Sequence, residues 1–131
     1  MLYTYPAVFY PENDGRYSVI FPDLNDLATY GDNISDALKM AEEACAQYIF
    51  TSVKDGEKLP LPTPTGSVVL DEDNAFVNLI LVDFDNFVKQ HSNKAVRKTL
   101  SIPSWLNTAC EAKNINYSKV LQEALINKIQ E

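Results

Sequence analysis

Alternation of apolar and polar side chains marks the first elements of the chain. Leu2 to Tyr10 is rich in aromatic and β-forming residues, Pro11-Glu12-Asn13-Asp14-Gly15 reads as a turn, and Arg16 to Phe21 alternates Tyr17, Val19 and Phe21 against Ser18 and Ile20. This predicts a β-hairpin with a loop of about five residues. Pro22-Asp23 stops the second strand, and a short third strand is expected around Leu27 to Tyr30, ahead of Gly31-Asp32. The period then changes. Ile34, Ala37, Leu38, Ala41, Ala44, Cys45, Tyr48 and Ile49 recur at intervals of three and four, so a helix packs one face on the sheet. Asn33 is placed to cap it, Asp36 stands where the acidic member of a capping box belongs, and Asp55-Gly56 ends it.

Pro60, Pro62 and Pro64 hold the next segment extended and keep it out of any helix or central strand. Val68 to Leu70, a turn at Asp71 to Asn74 and the apolar run Phe76 to Val82 predict one or two more strands. Asp83 to Gln90 suits a short helix, and His91-Ser92-Asn93 reads as a polar hinge. Residues 1–90 thus form one expected domain of order β-β-β-α-β, an α+β layer of sheet with a helix on its face.

Residues 94–131 have a different pattern. Val96, Lys98, Leu100 and Ile102 alternate with Arg97, Thr99 and Ser101, as in a half-buried strand. Pro103 ends it and suits a helix start, and that helix runs to about Lys113. Asn116 caps a second one carrying Val120, Leu121, Leu125 and Ile129 on one face. A piece this short buries too little apolar surface to stand alone, and a lone strand has no ladder partner, so it must pair. The pattern resembles the ribbon-helix-helix fold, in which two copies pair their strands antiparallel and dimerise. That resemblance implies dimer contacts at Val96, Leu100, Ile102, Trp105, Val120 and Leu121. It also implies a DNA-facing set: Arg97, Thr99 and Ser101 on the outer face of a ribbon that fits the major groove, with Lys98 adding charge at its edge. Asn116, Tyr117, Ser118 and Lys119 would offer a helix N-terminus to a phosphate. A dimerisation module without nucleic acid is the plainer reading of the same pattern.

Charge divides the chain at the same place. Residues 1–93 carry 15 acidic and 5 basic side chains, and residues 94–131 carry 3 and 6, so a body of net −10 precedes a tail of net +3. Contact with DNA is therefore confined to the tail, and the body suits a basic partner. Cys45 and Cys110 sit among small or apolar neighbours and are expected to be buried free thiols. The N-terminal stretch lacks a signal pattern and no apolar run approaches about 18 residues, so a cytoplasmic protein is expected.

Phe21-Pro22-Asp23-Leu24, Gly31-Asp32, Ile34-Ser35-Asp36-Ala37-Leu38 and Leu59-Pro60-Leu61-Pro62 together resemble the N-terminal domain of HicB-family antitoxins, in order and in spacing. Where the family often has a Pro-Gly-Cys-like stretch, this chain has Asn25-Asp26-Leu27. The resemblance implies a body like a truncated ribonuclease H fold, a basic RNA-cleaving HicA-like toxin as partner, and autorepression through operator DNA. Asp23, Asp26, Tyr30 and Asp32 are the candidate toxin-facing residues. Catalysis is not expected. Ribonuclease H chemistry needs carboxylates converging on metal ions, one of them on the first strand, and Leu2 to Tyr10 has none. A single histidine, His91, excludes a histidine metal cluster and reads as a solvated linker residue. No glycine-rich phosphate cradle is present, so neither metal nor cofactor is expected. The rival reading is a stand-alone transcriptional regulator whose body senses a ligand or another protein.

Overall fold

The hairpin forms as the alternation predicts. In the computed structural model, which describes residues 1–91 and 95–131, β1 (Leu2–Pro11) and β2 (Tyr17–Phe21) pair antiparallel with Val8 opposite Ile20 and Pro11 opposite Tyr17. The intervening loop is closed by Glu12 N–H to Arg16 O at 2.8 Å. β3 (Leu27–Gly31) and β4 (Phe76–Asp83) complete an antiparallel sheet of order β3-β2-β1-β4. Val68 to Leu70 does not form the further strand expected from its composition. Val69 and Leu70 are exposed, and without a covered face their β-forming side chains have nothing to pack on. A single turn of 3-10 helix, Thr65–Ser67, precedes them.

Helix α1 (Ile34–Lys54) begins with the reciprocal cap the sequence encodes, shifted by one residue. Asn33 Oδ1 accepts the Asp36 N–H at 2.8 Å, while the Asp36 carboxylate accepts the N–H of Asp32 at 2.9 Å. The helix ends in a Schellman turn. Gly56, at φ +71°, donates to Val53 O, and Glu57 N–H reaches back to Ser52 O. Gly31 is required by packing: a Cβ there would stand 2.2 Å from the Ala37 nitrogen, so β3 meets the first turn of α1 backbone to backbone. Tyr5, Ala7, Phe9, Val19, Phe21, Ile80 and Val82 from the sheet close a core against Ala37, Ala41, Cys45 and Ile49 of α1. A short helix α2 (Phe84–His91) follows β4 directly, with Asp83 Oδ1 accepting the Asn86 N–H.

The chain divides into two compact units, Met1–Lys94 and Ala95–Glu131. Of the expected hinge His91-Ser92-Asn93, His91 ends α2 and the other two residues lie outside the described ones, as does Lys94. His91 is exposed to solvent as expected, but it belongs to α2 rather than to a linker. Its ring stacks on Phe87 at 4.1 Å, with Nδ1 3.0 Å from Phe87 O. In the second unit α3 (Ser104–Ala112) and α4 (Tyr117–Ile129) are joined by another Schellman turn, made this time with Asn114 at φ +56°. Asn114 N–H donates to Glu111 O and Ile115 N–H to Cys110 O. Pro103 sits one position before the first helical residue.

Candidate protein and nucleic-acid interfaces

The four candidate toxin-facing residues fall into two places. Asp23 lies within the 3-10 turn Pro22–Leu24 and Asp26 just after it, at one end of β3, while Tyr30 and Asp32 stand at the other. With five residues of strand between them, Asp26 and Asp32 are roughly 20 Å apart at about 3.3 Å per residue. Asp23 is no unoccupied anion. Its two oxygens accept the Thr63 N–H at 2.8 Å and the Thr63 hydroxyl at 2.5 Å. Together with the Tyr5 hydroxyl, which donates to Pro60 O at 2.6 Å, this clamps the proline-rich segment to the body. Burial raises the Tyr5 pKa above its ordinary value.

Asn25 and Asp26, in place of the family's glycine-bearing stretch, adopt φ +56° and +55°. These are the residue types that enter the left-handed region most readily after glycine. Asn25 also donates to the Tyr48 hydroxyl at 2.7 Å, which holds the turn against α1. Tyr30 lies on the sheet face turned away from α1, where it lines an open groove of about 500 Å³ with Glu12, Asp14, Arg16 and Ser18.

In the second unit Arg97, Lys98, Thr99 and Ser101 are exposed, and Val96 to Ile102 carries no strand in the single chain. A ladder needs a second strand, and this unit has none. Val96 is 77% exposed and Trp105 72%, and Leu100, Ile102, Val120 and Leu121 are also uncovered. Trp105 is thus not part of a core within the chain, and Cys110 is only half-buried, unlike the buried thiol expected.

At the start of α4 one of the expected phosphate donors is already used, because Asn116 Oδ1 accepts the Lys119 N–H at 3.1 Å. Tyr117 is engaged as well. Its hydroxyl donates to Asn107 Oδ1 at 2.7 Å and fixes α4 against α3. Ser118 and Lys119 keep exposed side chains.

Among the described residues no group of three or more His, Cys, Asp or Glu side chains converges as a metal site would. No described helix is long and apolar enough to cross a membrane. Cys45 is buried on the sheet-facing side of α1, and burial pushes its thiol up to about 12, so it is neither nucleophile nor ligand at neutral pH. Sequence reasoning did not single out Leu2, Leu79 and Leu81, which the sheet leaves largely exposed on the face away from α1. The apolar run of β4 predicts a strand but does not say which of its side chains α1 covers.

The HicB-like antitoxins of bacterial toxin-antitoxin systems, taken as a family, match residues 5–125, from the first strand into α4. The chain belongs to this family. HicB-family antitoxins are regulatory proteins without catalytic activity. Antitoxin HicB 1 of Photorhabdus laumondii is 39% identical over 67 residues, which cover 51% of this chain and 43% of that protein. The chain spans about half the length of the curated relatives it matches. Among solved structures, a chain from a toxin-antitoxin complex of Streptococcus pneumoniae is similar over 98% of this HicB-like chain and 99% of its own, with a TM-score of 0.63 and 29% identity. A chain of a HicA3 and HicB3 toxin-antitoxin complex is similar over 62% of this chain and 99% of its own, with a TM-score of 0.51 and 26% identity. An α+β architecture with an N-terminal sheet-and-helix domain and C-terminal helices is therefore common to this chain and its structural relatives.

Proposed function

We propose that this HicB-like antitoxin neutralises a basic, RNA-cleaving HicA-like toxin by covering it with the acidic body, residues 1–90. In the same reading residues 94–131 pair with a second copy as a ribbon-helix-helix that binds operator DNA and represses transcription of its own gene pair. The observation that carries the reading is the contrast between the units: a body with a closed core and net charge −10, and a tail of net +3 with its apolar side chains uncovered. A basic surface is what the body attracts, since complementary charge steers association and selects partners. A second tail is what the uncovered strip fits, because pairing gives Val96 to Ile102 its ladder and covers Trp105. Inhibition is steric and asks no chemistry of this chain.

Co-expression with the short basic protein encoded beside it tests the reading. Rescue of growth is expected, together with a shift of operator DNA that weakens steeply with salt as phosphate neutralisation requires. Truncation after Gln90 is expected to keep rescue and abolish the DNA shift. Failure of the full chain to rescue growth would instead favour a stand-alone regulator.

A further inference from the structure

We propose that the toxin docks on the sheet face turned away from α1, along its β1–β4 side; this rests on the function proposed above and names the surface that performs it. Ile80 and Val82 of β4 point under α1 and are buried, so Leu79, Leu81 and Asp83 share the opposite face. The register sets Pro6 beside Leu79, Thr4 beside Leu81 and Leu2 beside Asp83. Leu79 is 52% exposed, Leu81 55% and Leu2 64%. The three leucines make one apolar strip that ends in a carboxylate, the form a protein-binding surface takes.

Charge selects the occupant. β1 and β4 together contain one charged side chain, Asp83, and it is negative. At the other end of the same face the Tyr10 hydroxyl donates to Asp71 and the Ser18 hydroxyl to Glu12, so carboxylates stand at both ends. A second acidic body, or a nucleic acid, would meet like charge there; a cationic protein with apolar side chains between its lysines and arginines would not. The edge of β4 is also a poor template for strand addition at its centre. The Leu79 N–H is already accepted by Asn78 Oδ1 at 2.9 Å. Side chains rather than backbone therefore meet the partner.

The test uses the full chain, with the catalytically inactivated basic protein from the adjacent reading frame as probe. The double variant Leu79→Lys/Leu81→Lys is expected to weaken toxin binding about 30-fold or more, with thermal unfolding and operator binding unchanged. Radical footprinting of the unaltered chain provides a measurement that needs no variant: Leu2, Leu79 and Leu81 should be protected when toxin is added. Unchanged labelling of these leucines, or unchanged affinity of the folded double variant, overturns the surface and leaves the proposed function standing. A change in oligomer mass at unchanged toxin affinity assigns the face to a second copy and overturns the proposal. If the unaltered chain does not bind toxin at all, the proposed function itself falls, and the surface with it.

Discussion

The two units obey the same local rules and reach opposite outcomes. Both have an asparagine that caps a helix N-terminus, Asn33 for α1 and Asn116 for α4. Both terminate a helix in a Schellman turn at positive φ, through Gly56 in one and Asn114 in the other. In the body these helix ends position α1 over four strands, and Phe9, Phe21 and Ile49 are shut away from water. In the tail the same devices produce two helices whose apolar faces stay open. Caps and turns fix where elements start and stop; only closure against a partner supplies the burial that holds a fold.

The comparison breaks most severely if the body's core is opened. Phe9 is fully buried and stacks on Phe76 at 5.3 Å, so Phe9→Ala is expected to cost about 3–5 kcal/mol of body stability. Urea unfolding checks this, and the loss should be the same at every protein concentration. Trp105→Ala should act in the other way. It is expected to weaken pairing of the tails by at least about 2 kcal/mol, as truncation of a central aromatic does, with no change in the body's own transition. Sedimentation equilibrium over a dilution series would reveal it; a monomer–dimer balance unmoved by Trp105→Ala would show that the tail closes on something other than its twin. A finer form of the same contrast uses the matched turns. Gly56→Ala and Asn114→Ala each place alanine at positive φ and should cost about 1 kcal/mol. The first loss should appear in the body at any concentration, the second only in the assembled tail.

What could be read from the sequence follows the same division between local and distant causes. The five-residue hairpin loop, both asparagine caps and the faces of β2 and α1 follow from neighbours in the chain, and all are found. Val68 to Leu70 has the composition of a strand and forms none, because a strand is made by a partner edge. The tie between Asp23 and Thr63 spans 40 positions and has no local signal at all. The apolar neighbours of Cys110 suggest a buried thiol, yet it is only half-buried, because covering it takes a surface that the single chain does not contain. Of the candidate site, acidity of the body and basicity of the tail are written in the composition. The bare leucines of β4 are not, since periodicity does not say on which face a helix lies. Asn25-Asp26 lies between these cases: asparagine and aspartate signal tolerance of positive φ, and both adopt it.

The smallest expected effect separates the units by their thiols. Cys45 is fully buried in the body and Cys110 is half-buried in the tail. At pH 8, and at a dilution where tails are unpaired, one thiol per chain should react quickly with a thiol reagent, and mass mapping should place it at Cys110. Cys45 should react no faster than the body opens. The same burial sets a pH dependence. The Cys45 thiol is pushed from 9.0 to about 12 in the folded chain, so once pH passes 9 the unfolded state loses a proton that the folded state keeps. Stability from this group is intact below pH 9 and declines as pH rises toward 12, with a slope approaching about 1.4 kcal/mol per pH unit. Tyr5, also raised by burial, adds to the decline above pH 10. Cys45→Ala should flatten the part between pH 9 and 10, and urea midpoints across that range would show it; a curve that the variant leaves equally steep would mean that Cys45 is not the group responsible.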